Sequence, residues 1–277
     1  MRSLLFLFFI AFVPSLLAQK QSKCIDYFIG TNPANVKAKT ELKEYNVLLK
    51  WQNLDALSGS RINCYAVKAI YTTGLDSDKV AWRNVNLTKI DNFSVPIPIG
   101  LELSAFNNFT YSLNETNFLR EDFYKNIPAE NIDLARWLVS DAIQMQGLIW
   151  YVFDSLKFNK DFTPKYLESK DIKFENWVLF HNQSLKFKWI GITKHGKDVC
   201  AIVKFESLYN PVSMQTTQMS FKGRSLYWGE LWISLEDKQL EYAYMIEDVI
   251  FKLKTAQSEQ GNLLNLQREV TFETLKK

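Results

Sequence analysis

Two periodicities divide this chain. Between about Pro128 and Phe158, the apolar residues Leu134, Leu138, Ala142, Met145, Ile149, Val152 and Leu156 recur at spacings of three and four, the period of one buried helical face. Pro128 stands where a first helical turn tolerates a missing N–H, and Glu130 and Asp133 lie near the positive end of the helix dipole. The run also carries Arg136, Asp141, Gln144, Gln146 and Asp154. Each is expensive in hydrocarbon, so the segment predicts a core helix and not a membrane span.

Elsewhere the period is two. Tyr45–Trp51 and Arg61–Thr73 read as strands joined by the polar connector Asp55–Ser60. In residues 75–100, Pro96 and Pro98 predict an extended edge segment in place of a central strand. Leu101–Phe106 and Phe109–Leu113 predict a strand pair broken at Asn107-Asn108. The last hundred residues are strand after strand: Ile172–His181, Leu185–Lys194, Val199–Leu208, Met214–Lys222, Leu226–Leu235, Leu240–Leu253 and Glu269–Leu275. Turns are expected at His195-Gly196-Lys197, Asn210-Pro211, Gly223-Arg224 and Glu236-Asp237-Lys238, giving an antiparallel meander that the polar tract Gln257–Asn265 interrupts. A three-residue loop at His195–Lys197 would pair Phe187 with Phe205, Trp189 with Val203 and Gly191 with Ala201 on one face. Lys186 would then face Glu206 on the other.

The pattern predicts an α+β fold, predominantly an antiparallel β-meander (a curved sheet or half-barrel) with one long central helix packed on it. Leu138, Ala142, Ile149 and Val152 should face the sheet, with Trp177, Phe187, Trp189, Val203 and Phe205 in the core. The competing arrangement is two small sheets joined by the helix.

The N-terminus changes the functional picture. Arg2 leads into an unbroken apolar run from Leu4 to Val13, and Ala18 precedes the polar Gln19-Lys20-Gln21. A positive start, an apolar stretch too short to span a bilayer and a small residue at a polar junction predict a signal peptide over 1–18. One exported domain over 19–277 follows, with strands in 45–117, the helix in 128–158 and the meander in 172–276. It is expected to be secreted or periplasmic, without ready access to ATP or NADH, and with no transmembrane span after cleavage. Lys23 beside Cys24 does not fit a lipid-attachment box.

Of 33 basic residues one, Arg2, leaves with the leader, so 32 face 30 acidic residues and the mature charge is +2. That near-neutral balance gives no electrostatic footprint for nucleic acid or an anionic membrane. Cys24, Cys64 and Cys200 permit at most one disulfide, of open pairing. Cys64 and Cys200 lie in strand-like runs and read as small apolar fillers.

Specific chemistry is scarce. His181 and His195 read as solvated turn residues, and two histidines cannot make a multi-histidine metal site. No metal, cofactor or catalytic residue is assigned. No Gly-x-Ser-x-Gly elbow occurs, and Cys200 reads as a strand filler five residues from His195. Carboxylate candidates for a glycosidase-like site are Asp141, Glu230 and the pair Glu247-Asp248. Glu230 stands out because alternation places it on one strand face with Trp228 and Trp232, while Tyr242 and Tyr244 share a face of the next strand. Two readings follow: a half-buried aromatic face with one exposed acid, or a ligand-binding groove oriented by Glu230. The functional expectation is an exported, non-catalytic protein binding an apolar or amphiphilic ligand or an envelope protein, with no nucleic-acid partner. An extracytoplasmic hydrolase is the runner-up and a structural envelope protein the third reading. Asn-x-Ser/Thr sequons occur at Asn86, Asn92, Asn108, Asn114 and Asn182, near the number chance would give.

Overall fold

The computed structural model describes residues 36–275 apart from 40, 77, 108, 116, 117, 119, 166–169, 175–177, 184, 217, 256 and 257. The leader, Cys24 and Trp177 lie outside the described residues. Strands β1 (Lys43–Asp55), β2 (Arg61–Leu75), β3 (Lys79–Lys89), β4 (Leu101–Glu102) and β5 (Thr110–Ser112) precede the helix α1 (Ile132–Val152). After it come β6 (Asp161–Phe162), β7 (Lys170–Phe174), β8 (Val178–Asn182), β9 (Lys186–His195), β10 (Asp198–Gln215), β11 (Met219–Ser234), β12 (Leu240–Thr255) and β13 (Ser258–Thr274).

Among the described residues 13 strands join one sheet, ten of them in the order β4-β3-β2-β1-β13-β12-β11-β10-β8-β7, with β5 beside β3, β6 beside β9 and β9 beside β10. Every pairing between them is antiparallel. β9 lies beside the first half of β10 and β8 beside its second half. The end strands β4 and β7 do not meet, so the sheet is open and not a closed barrel. The last long strand, β13, pairs with β1 from Tyr45↔Thr274 to Asp55↔Leu264, which welds the N-terminal strands to the meander.

The helix lies where its periodicity requires, lengthened by short 3-10 turns at Ala129–Asn131 and Phe153–Ser155. Leu138, Ala142, Met145, Ile149 and Val152 are buried in one cluster with Val47, Leu49, Val67, Phe205, Leu231 and Phe272 from the sheet. Phe187, Trp189, Val203 and Phe205 are core residues, as their alternation implies. Each large aliphatic side chain buried here contributes about 1.5–3 kcal/mol relative to exposure. The face of the sheet carrying α1 is its inner face. The opposite, outer face is where the candidate site lies.

Several elements depart from the pattern. The β9–β10 hairpin pairs Phe187 with Phe205, Trp189 with Val203 and Lys186 with Glu206 as expected, but Gly191 faces Ile202 and not Ala201. A two-residue turn, with Gly196 at φ +61°, replaces the three-residue loop, and a bulge between Ile202 and Val203 restores the register. β10 runs straight through Asn210-Pro211, where a turn was expected. Tyr209 at φ +63° and a register shift between Ser207 and Asn210 mark a bulge there, one of the few sheet positions that tolerates proline. β11 likewise runs through Gly223, whose absent Cβ would sit 2.2 Å from the Ile250 carbonyl oxygen. This glycine serves close strand approach, not a turn. Within the polar tract, residues 258–265 continue the sheet as the first half of β13. Residues 79–89 form a strand, β3, that buries Val80, Trp82 and Val85, while Pro96 and Pro98 are in irregular chain. Leu101–Glu102 and Thr110–Ser112 each pair with β3 and not with one another.

Candidate functional site

On β11 the inner residues Tyr227, Leu231 and Ile233 are buried, which turns Trp228, Glu230 and Trp232 to the outer face. On β12 burial of Ala243 and Met245 does the same for Tyr242 and Tyr244. The two strands align these side chains in rows across the sheet. Trp232 faces Tyr242, Glu230 faces Tyr244 and Trp228 faces Ile246. The rows continue to Glu273, Thr271 and Glu269 on β13, and on the other side to Ile202, Lys204 and Glu206 on β10. All five residues singled out from the sequence are thus brought together in one half-buried patch, framed by charged residues.

The rings touch one another. Trp232 and Tyr242 have centroids 4.7 Å apart, and His195 meets Trp232 edge-on at 5.9 Å. His195 is an addition to the patch that the sequence pattern does not supply: the strand registers set Gly191 in the row of Trp232, and His195 reaches the ring from further along β9. His195 Nε2 and Trp232 Nε1 are both shielded without a hydrogen-bond partner. Partial burial, with Glu273 and Glu230 nearby, raises the Tyr242 pKa, and partial burial with Glu269 and Tyr242 raises that of Tyr244. Both hydroxyls are therefore neutral donors at physiological pH. Beneath them Gly229 lets the strands close up, since a Cβ there would lie 1.9 Å from the Tyr244 carbonyl oxygen and 2.8 Å from Phe205 Cζ.

A second constellation lies on the inner face. Arg268 on β13 sends Nη2 to Asp141 Oδ1 at 3.2 Å, Nη1 to Asp141 Oδ2 at 3.3 Å and Nε to Glu247 Oε2 at 2.8 Å. Its guanidinium also lies over Trp137, 5.5 Å from the ring centre. Ser225 Oγ donates to Glu247 Oε1 at 2.8 Å, and Asn210 Nδ2 donates to the Ser225 carbonyl at 3.1 Å. Ser207 Oγ bonds Asn210 Oδ1 at 2.9 Å and reaches Asn182 Oδ1 at 3.4 Å, which also accepts the Tyr227 hydroxyl at 2.9 Å. This chain of polar groups crosses from α1 through β13, β12, β11 and β10 to β8. It uses two of the acids considered for hydrolysis, Asp141 and Glu247, as ligands of one guanidinium. Asp248 points to the other face, and Glu230 is on the aromatic patch. Asn182 is 4% exposed and bonded inward, so its sequon is closed in the folded protein.

Cys64 and Cys200 are free, buried thiols, with the Cys200 pKa pushed up to about 12 chiefly by desolvation. His181 lies in β8, with Nδ1 at 2.5 Å from Asp171 Oδ1, and is not a turn residue. Among the described residues no group of three or more His, Cys, Asp or Glu side chains is placed to hold a metal ion, and no helix is long and apolar enough to cross a membrane. A cleft lined by Tyr45, Thr73, Gln146 and Gln239 offers about 40 Å³, room for a water molecule or so. No protein-family model matches this chain, and no curated protein matches it.

Proposed function

We propose that this chain is an exported, non-catalytic binding protein that takes an amphiphilic ligand on the outer face of β11 and β12. On this reading residues 19–277 are a single domain, the sheet is a half-barrel around α1, and the leader directs it to a secreted or periplasmic location. The observation that carries the reading is the register: Trp228, Glu230 and Trp232 stand beside Tyr242 and Tyr244 on the face that the helix does not use. Rings that a fold needs for its core are buried as Trp189 and Trp82 are, at 2% and 0% exposure, whereas these are only half-buried. Aromatic side chains offer large contact area at small rotamer entropy, and the two tyrosine hydroxyls and Glu230 supply donors and an acceptor within the same patch. That mixture suits a ligand with an apolar body and a polar head.

Calorimetric titration with dodecylphosphocholine, kept below its micelle concentration, tests the proposal. Binding heat in the unmodified protein, and its loss in Trp228→Ala/Trp232→Ala with a near-native melting curve, is the expected result. Absence of binding, or equal binding by the double variant, overturns it.

A further inference from the structure

The outer face of β11 and β12 continues beyond the aromatic patch, and at its far end its character changes. Lys222 and Arg224 on β11 and Lys252 and Lys254 on β12 are all exposed on that face. Lys222 stands directly opposite Lys252, and the flanking partners of this row are Ser213 and Leu263. Arg224 stands opposite Ile250, and Lys254 opposite Ser220. Like charges placed directly opposite are destabilising in a sheet, and no acid neighbours the pair along either strand or across it. Among the described residues none of the four cations is held by a carboxylate, in contrast to Lys43, Lys50, Arg83 and Arg268 elsewhere on the same sheet.

The cations are interleaved with exposed apolar groups. Ile250 is 40% exposed between them, and Tyr209 is 58% exposed with Arg224 5.8 Å from its ring centre. Lys222 lies six positions from Trp228, about 20 Å along the strand, so this is a second surface and not the margin of the aromatic patch. A near-neutral chain that concentrates unpaired cations at one end of one face, among an aliphatic and a tyrosine side chain, matches a surface that is itself anionic and amphiphilic.

We infer that this end of the β11–β12 face docks on an anionic lipid bilayer, Lys222, Arg224, Lys252 and Lys254 meeting the phosphate layer while Ile250 and Tyr209 enter the interface. Tyrosine is at home at that depth, and each cation near an anionic surface strengthens binding about fivefold at low salt. Nucleic acid would satisfy the charge, but Ile250 would then be left exposed with no apolar partner.

Vesicle flotation tests the inference with the full chain, whose leader is common to every protein compared. The membranes are phosphatidylcholine alone and phosphatidylcholine with about 30% phosphatidylglycerol. The expected result is binding at least tenfold stronger to the anionic vesicles, abolished by about 0.5 M NaCl. Lys222→Gln/Lys252→Gln should weaken it about 25-fold while melting no lower than the unmodified protein. The variant Trp228→Ala/Trp232→Ala should retain it, which separates this surface from the amphiphile site. Equal binding to both membranes, no binding to either, or an unchanged lysine double variant overturns the inference. So does tight binding of a DNA duplex without vesicle binding, which would assign the patch to nucleic acid.

Discussion

Arg268 and Asp141 stand 127 positions apart in the chain and meet as a two-pronged ion pair at the junction of β13 and α1, with 8% and 3% of their surfaces exposed. Burial raises the Asp141 pKa to about 6 even with the guanidinium beside it, since desolvation outweighs the attraction of Arg268 and Glu247 adds repulsion. Burial alone would lower the Arg268 pKa, but Asp141 and Glu247 together outweigh it and raise it. Such a pair adds little net stability over apolar packing, yet removing one member leaves charge stranded in the interior.

Arg268→Met should therefore destabilise the protein by about 3–5 kcal/mol at neutral pH. The pH dependence has a definite sign. A carboxyl whose folded pKa is raised favours the folded state when protonated, so its contribution falls as pH climbs from about 4 through about 6. Without the guanidinium that window moves upward. The deficit of the variant should thus be smaller near pH 5 than near pH 7.5, measured by urea denaturation at both. An equal deficit at both values would show that Asp141 does not carry the effect.

The tryptophans should separate by face. Trp189 is 2% exposed, packs edge-on against Phe158 at 5.7 Å and donates Nε1 to the Gly191 carbonyl at 2.7 Å. Trp189→Ala should cost about 3–5 kcal/mol. Trp232→Ala removes a half-buried ring in contact with Tyr242 and His195, and should cost only about 1 kcal/mol. Thermal melts of the two variants provide the check. A Trp232→Ala loss as large as that of Trp189→Ala would make the outer aromatic patch part of the structural core.

Local pattern carried much of this fold. The spacing of Leu138, Ala142, Ile149 and Val152 located α1, and alternation placed Trp228, Glu230 and Trp232 together because both signals depend only on neighbours in sequence. Asn210-Pro211 and Gly223 misled because the same residue types serve turns, bulges and close strand approach. What distinguishes these uses is a partner strand. The polar character of the 258–265 tract hid the start of β13 for a related reason: Gln260 and Asn262 are exposed and no described side chain from 258 to 265 is fully buried, so no buried face imposes alternation there. The chain of buried polar groups was illegible altogether. Asp141, Arg268, Glu247 and Asn210 become one network only when α1 and the strands from β13 to β10 are assembled.

Asn210 is the test of that network. Its side chain is fully buried, with Oδ1 accepting the Gln183 N–H at 2.7 Å and the Ser207 hydroxyl at 2.9 Å. Nδ2 donates to the carbonyls of Ser207 and Ser225 at 3.2 and 3.1 Å. Asn210→Ala strands these groups and should cost about 2–4 kcal/mol. Hydrogen exchange at the Gln183 amide should accelerate along with the global loss. A change under about 0.5 kcal/mol would mean that the bulge holds without its side chain.

Gly229 ties the fold to the aromatic face. It lies on the inner side of β11 between Trp228 and Glu230, opposite Met245 on β12. A Cβ would meet the Tyr244 carbonyl oxygen at 1.9 Å, and backbone cannot rotate away as a flexible side chain would. Gly229→Ala must therefore push β12 from β11, at a cost of about 3 kcal/mol. It should also spread Glu230 from Tyr244, so amphiphile binding should fall together with stability. Gly59→Ala is the contrast: that residue has φ +70° but open space around it, so only the left-handed backbone cost of about 1–2 kcal/mol applies, and binding should be unaffected. Denaturation curves and calorimetric titrations on both variants decide the matter. If Gly229→Ala folds as stably as Gly59→Ala, the close approach of the two strands is not what holds the aromatic rows in register.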